Sequence, residues 1–125
     1  MKFILDANFL LLPGRLKVDI YAELRQFEGK RELYTLDLVL AELQRLSEKK
    51  SKSGRDAALA LTLMKAYHIE ILPTQSQDTD SELIEAADQH QAVVCTQDFP
   101  LRKRLHERQL PVVYLRQKKH LILEP

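Results

Sequence analysis

The sequence predicts an α/β fold built on a mostly parallel sheet covered by helices, and three observations carry that expectation. Short apolar runs at Lys2 to Asp6, Val93 to Thr96 and Pro111 to Leu115 are rich in Ile, Val and Leu and show no polar alternation. Such runs suit strands buried on both faces, as parallel strands are. Helical periodicity fills the intervals, and the alternation of the two patterns is that of a parallel sheet with crossover helices.

Each element follows in chain order. Arg31 to Asp37 and Glu70 to Leu72 are two further strand candidates, less apolar than the three runs above. Helical patterns cover Lys17 to Phe27, Leu38 to Glu48, Gly54 to His68, Thr79 to His90 and Phe99 to Arg108. The first and fourth strands are the most apolar and are expected side by side at the sheet centre. Right-handed crossovers limit how the chain can wind, and in open α/β sheets the functional crevice lies beyond the carboxyl ends, where the winding reverses. The stretch Ser47 to Arg55 is polar and basic and reads as a mobile surface connector.

Composition narrows the function classes. With 125 residues, 45% apolar and 30% charged, the chain suits one domain spanning residues 1–125. The single Cys95 lies in an apolar run, so it forms no internal disulfide and builds no structural zinc site. The apolar start at Phe3 to Leu5 is too short for a signal-peptide core, and no segment approaches a membrane span. A soluble protein of the reducing cytoplasm, with no membrane association, is therefore expected. A net charge of +1 gives no global nucleic-acid signature, so RNA contacts would have to rest on local patches.

Four acids stand at positions that converge on the crevice. Asp6 ends the first strand, where its carboxylate faces the sheet edge; the alternative is an ordinary turn-former. Glu42 borders the buried stripe of Val39, Leu43 and Leu46 on its helix, about 60° from Val39, and is expected to be partly desolvated. Thr79-Asp80-Ser81-Glu82 fits a capping box with Thr79 as N-cap. Asp80 would then project inward between Leu83 and Ile84, free of capping duty, although an acid in a first turn is also favoured by the helix dipole alone. Asp78 competes for the same role but precedes the helix. Asp98 follows the fourth strand, where Pro100 supports a reading as N-cap of the next helix. Thr96, at the strand end, could orient a water in the site or simply finish the strand.

Gathering these acids has an electrostatic cost. Two carboxylates about 4 Å apart repel by roughly 4 kcal/mol at an effective dielectric of 20. A cluster of three or four is unfavourable unless protonated or neutralised by cations. All-oxygen donors with no nearby His or Cys select Mg²⁺ or Mn²⁺. Such a site can activate a water and stabilise charge on a phosphodiester during displacement.

The ordered set Ile4-Leu5-Asp6-Ala7-Asn8-Phe9-Leu10-Leu11, Val39-Leu40-Ala41-Glu42-Leu43, Asp80 with Leu83-Ile84-Glu85-Ala86-Ala87, and Thr96-Gln97-Asp98 then Leu101-Arg102 resembles the PIN-domain family over essentially the whole chain. Phe9 to Pro13 and Leu101 to Leu105 leading to Leu110 to Val113 are similar to the branch of ribosomal-RNA-processing endonucleases and their archaeal relatives. The resemblance implies a three-layer α/β/α sandwich with Rossmann-like winding, and Mg²⁺ or Mn²⁺ held by Asp6, Glu42, Asp80 and Asp98. It implies endoribonuclease activity, with single-strand or loop-directed RNA cleavage leaving a 5′-phosphate, and Asn8 and Thr96 in supporting roles. Asp80-Ser81 stands where the family often doubles the acid, leaving one carboxylate there unless Asp78 joins it.

For RNA contacts the candidates are cationic groups: Lys49, Lys50, Lys52 and Arg55; Arg102, Lys103, Arg104 and Arg108; and Arg116, Lys118, Lys119 and His120. Charge runs of this kind are most often solvated surface. If they ring the crevice they position the phosphate backbone. A receiver domain would need an Asp where the third strand ends in Leu72-Pro73-Thr74, and a haloacid-type phosphatase needs Asp-x-Asp where Asn8 stands. Two alternatives within the fold stay open: a catalytically weak module that binds RNA or a partner in ribosome assembly, and the toxin ribonuclease of a toxin-antitoxin pair. The partners to expect are RNA, a second copy in a homodimer, and a ribosome-assembly or antitoxin protein.

Overall fold

The computed structural model describes residues 1–27 and 29–125. Five strands run parallel: β1 (Lys2–Leu5), β2 (Glu32–Leu36), β3 (Glu70–Leu72), β4 (Val93–Cys95) and β5 (Val112–Arg116). A sixth, β6 (His120–Glu124), returns antiparallel to β5, giving the order β3-β2-β1-β4-β5-β6. The helices are α1 (Ala7–Leu10), α2 (Leu12–Leu16), α3 (Ile20–Leu24), α4 (Asp37–Ser47), α5 (Lys52–Ala66), α6 (Thr79–His90) and α7 (Phe99–Glu107). Strands β1 and β4 are neighbours, with Ile4 opposite Val94 and Leu5 opposite Cys95. The winding runs outward through β2 and β3 and reverses at β4, so right-handed crossovers place helices on both faces of the sheet.

Unbroken apolar sequence buries the central strands from both sides: Phe3, Ile4, Leu5, Val94 and Cys95 are fully inaccessible. Leu10, Ile20 and Leu24 from the first crossover, Leu43 from α4, Leu83 and Ile84 from α6, and Leu101 and Leu105 from α7 complete the core. Cys95 is free and buried. Among the described residues no helix is long and apolar enough to cross a membrane.

The structure departs from the sequence reading in four places. The helix expected over Lys17 to Phe27 shortens to α3, because Lys17 adopts a left-handed φ of 55° and Asp19 caps the helix by accepting from Ala22 N at 3.0 Å. Residues 7–16, assigned to no element, form two short helices. The basic stretch is mostly helical and the connector within it shorter than expected: only Glu48 to Ser51 lie between α4 and α5, and Ser51 caps α5 by accepting from Gly54 N at 3.2 Å. Gly54 is required there, since a Cβ would collide with the carbonyl of Lys49. Finally, the third cationic group straddles a β5–β6 hairpin assigned to no element: Arg116 and His120 end the strands, and Lys118 and Lys119 lie in the turn, where Gln117 and Lys118 hold φ of 55° and 59°.

Candidate active site

Beyond the carboxyl ends of β1 and β4 lies an open cleft of about 740 Å³. Asp6, Glu42, Asp80 and Asp98 all line it, as do Asn8 and Thr79. Four separate segments supply the acids: the turn after β1, the middle of α4, the first turn of α6, and the β4–α7 junction. Ala7, Leu11, Leu43 and Leu46 contribute apolar lining.

Asp6 is the most constrained of the four. The chain leaves β1 into α1 at once, so Asp6 caps α1, its Oδ1 accepting from Ala7 N at 2.8 Å. Oδ2 accepts from the hydroxyl of Thr96 at 2.8 Å. Thr96 is fully buried and in turn accepts from Asp98 N at 3.1 Å. The Asn8 side-chain oxygen accepts from Gln97 N at 2.9 Å. The ends of β1 and β4 are thus laced together, and each oxygen of Asp6 keeps acceptor capacity to spare. Thr96 itself does not line the cleft; it meets the site through the Asp6 carboxylate and the backbone of Asp98.

Burial raises the Asp6 carboxyl above its ordinary value; its hydrogen bonds to Thr96 and Ala7 lower it, and the charges of Asp80 and Glu42 raise it further. Asp80 is also raised, first by desolvation and then by Asp98, with Arg104 pulling the other way and Asp78 adding to the rise. The acids therefore feel one another across the cleft, as like charges sharing a site do.

The first turn of α6 differs from the expected capping box. Asp78, not Thr79, is the N-cap: its carboxylate accepts from Ser81 N at 3.2 Å and from the Ser81 hydroxyl at 2.7 Å. Those bonds lower its pKa, and the side chain is exposed outside the cleft. An acid accepts as well as a hydroxyl at this position and adds a favourable dipole interaction. Glu82 reaches back to Gln75 N and Ser76 N instead of to the cap. Asp80 is freed for the cleft all the same, with Asp78 doing the capping. At α7 the reverse holds: Asp98 occupies the N-cap position but makes no side-chain cap bond, so its carboxylate is uncommitted. Glu42 is exposed in the cleft instead of desolvated at the core edge.

Of the cations proposed from sequence, Lys49 lines the cleft. Lys52 is held by Asp56 at 3.0 Å and reaches Gly14 O at 3.3 Å. Lys50 and Arg55 are exposed and outside the cleft. Arg104 donates to the Ser81 hydroxyl at 3.3 Å, and Arg102 packs on aromatic rings of α7 and β5. Two cleft cations were missed: Arg15 at the end of α2 and Arg45 of α4. The signal for Arg45 was present, because Glu42, Arg45 and Lys49 repeat at i, i+3, i+7, the spacing of one helical face.

The donor chemistry suits a hard divalent cation. The cleft offers carboxylate oxygens with no Cys or His among its lining residues, and their mutual repulsion is what a cation relieves. Among the described residues no three Asp, Glu, His or Cys side chains form a preformed metal cage. Any ion would be held by carboxylates that line the cleft at wider spacing.

Comparison with known proteins gives a consistent result. Residues 3–118 match the model of a family described as PIN like domain. A ribonuclease of Archaeoglobus fulgidus, VapC9, is 33% identical over 122 residues, which cover 97% of this chain and 87% of the relative. VapC4 of Methanocaldococcus jannaschii, also a ribonuclease, is 28% identical over 95% of this chain and 93% of the relative. Among solved structures, the PIN domain endonuclease Utp24 superposes with a TM-score of 0.80 at 25% identity, covering 98% of this chain and 90% of that one.

Proposed function

This chain belongs to the PIN-like domain family, and from that premise we propose that it is a divalent-metal-dependent endoribonuclease, comprised in one domain over residues 1–125. The observation that carries the proposal is the convergence of Asp6, Glu42, Asp80 and Asp98, from four separate segments, on one cleft at the reversal of winding. Those four carboxylates are the residues that would hold Mg²⁺ or Mn²⁺. When bound, the cation supplies Lewis-acid stabilisation of a phosphodiester and activation of water.

The chain's own residues bind and orient. Arg15, Arg45 and Lys49 offer positive charge to a phosphate backbone entering the cleft, fixing its register without reading sequence. Thr96 and Asn8 are positioning residues: they hold Asp6 and the start of α7 in one frame, so the carboxylates of Asp6 and Asp98 keep their relative placement.

The test is cleavage of an end-labelled structured RNA with Mn²⁺ by wild type and Asp98→Asn. The variant should keep fold and RNA binding and lose cleavage by about 100-fold or more, as expected when a group stabilising transition-state charge is removed. Equal cleavage by the two proteins would show that Asp98 is outside the reacting site.

Two biological placements agree with this reading. The sequence resemblance to ribosomal-RNA-processing endonucleases supports the first, a place in ribosomal-RNA processing. The second is the toxin ribonuclease of a toxin-antitoxin pair, and the endonuclease Utp24 and the VapC ribonucleases support the nuclease activity that both require. Expression separates them: a toxin arrests growth when produced alone and is rescued by its neighbouring antitoxin, whereas a processing nuclease causes no arrest and its loss leaves uncut precursor.

A further inference from the structure

Phe99 is 67% exposed, against 41% for the next most exposed large apolar side chain, Leu59. Its position gives the exposure meaning. Phe99 directly follows Asp98, so the two Cα atoms are about 3.8 Å apart, and α7 begins between two hollows. On one side is the acid cleft lined by Asp98; on the other is a hollow of about 360 Å³ lined by Phe99, Arg102, Lys103, His106, Tyr114 and Glu124.

Arg102 organises the second hollow. Its guanidinium carbon lies 3.9 Å from the Tyr114 ring centroid and 5.6 Å from that of Phe99. Its Nε is buried and has no hydrogen-bond partner among the described residues. Aromatic faces, not an acid, hold this cation. The result is a π surface made of the half-buried Tyr114 ring, the Arg102 guanidinium and the exposed Phe99 ring.

We propose that Phe99, Arg102 and Tyr114 form a stacking subsite for a nucleobase of single-stranded RNA whose backbone continues into the acid cleft. The proposal rests on the nuclease reading above and adds to it a base-holding subsite, made of named residues outside the acid cleft. Exposed aromatics and arginine planes stack on unpaired bases, and duplex bases are not accessible to them. The size of the hollow falls at the lower end of small-molecule sites, which begin at roughly 300 Å³. Glu124, which when ionised only accepts, suits the donor edge of a base better than a phosphate within the hollow, while Lys103 and His106 add hydrogen-bond donors to its lining. A duplex would meet the cleft but leave Phe99 bare.

The experiment measures binding of a single-stranded RNA carrying a fluorescent aminopurine, with EDTA present so that no cleavage occurs. Wild type is expected to quench the base on binding. Phe99→Ala should bind roughly 5- to 150-fold more weakly and without quenching, the range for one lost base stack. Phe99→Tyr should restore both, and all three proteins should melt alike because the ring is exposed. An abasic version of the same strand should bind wild type no better than Phe99→Ala binds the intact one. Equal binding and quenching by Phe99→Ala, equal binding of the abasic strand, or no RNA binding would each overturn the subsite. Failure of the nuclease reading looks different: no Mn²⁺-dependent cleavage by wild type, with the Phe99-dependent quench intact.

Discussion

Thr96 does more for the site than any cleft-lining acid does for another. One buried hydroxyl donates to Asp6 Oδ2 and accepts from Asp98 N, joining two acids that are 92 positions apart in sequence. Replacing Thr96 with Val removes both bonds and leaves a backbone N–H and a desolvated carboxylate short of partners. A hydrogen bond to a charged group is worth about 1.5–3 kcal/mol, so Thr96→Val should lose roughly 2 kcal/mol by chemical denaturation and also lower RNA cleavage. Thr96→Ser should recover both. Loss of stability without loss of cleavage would make Thr96 a strand-end residue and no more. At this scale the sequence was readable where a side chain ends a strand, as for Asp6 and Asp98, because strand ends fix direction. It was less readable on α4 and α6. Helical geometry gave the angle of Glu42 but not what covers it, and Thr79 and Asp78 are both competent caps, so composition alone could not choose between them. Arg15 was illegible because the short helix carrying it carries no periodic signal.

Elements were legible in proportion to their periodicity. α6 stands over the residues expected, Thr79–His90, and β1, β4 and β5 lie within one residue at each end of their apolar runs. The hairpin strand β6 was hidden because Gln117 and Lys118 adopt positive φ where Gly or Asn would announce a turn. α1 and α2 have four and five residues, too short for an amphipathic repeat. The joints between elements carry a pH signature. Asp37, the first residue of α4, accepts from the Thr74 hydroxyl at 2.6 Å and from Thr74 N at 3.2 Å, tying α4 to the segment leaving β3. The Thr74 hydroxyl bond is the main reason that the Asp37 carboxyl sits below its ordinary value, with the backbone bonds from Thr74 and Leu38 adding to it against a smaller desolvation. A carboxyl lowered on folding contributes stability above its unfolded value, about pH 4, and that contribution is lost as pH falls through the folded value. The melting-temperature difference between wild type and Thr74→Val should therefore be largest near neutral pH and shrink toward zero on acidification below about pH 4. A difference that stays constant across that range would mean that the bond does not select the ionised form.

At the scale of the whole molecule, net charge misleads. The chain carries +1 overall, yet its acids converge on one cleft and Arg15, Arg45 and Lys49 share the lining. Folding buries Asp6 and Asp80 and brings the carboxylates toward one another; burial first, and repulsion after it, raise these two groups, and the unfolded chain has no such cluster. A cation that binds only the assembled cleft must then stabilise the fold by mass action. At a free concentration a hundred times its Kd the gain is about 2.7 kcal/mol, which for a chain of this size raises Tm by on the order of 10 °C. Thermal melts with increasing Mn²⁺ should show this rise for wild type and a much smaller one for Asp6→Asn. Without metal, Asp6→Asn should melt at or above wild type near neutral pH, because a raised carboxyl is a cost to the folded state once ionised. The two halves test separate things. An unchanged wild-type Tm at saturating Mn²⁺ would mean that the four acids do not act as one cation site, whereas a full shift in Asp6→Asn would mean that a cation binds the fold without its central acid.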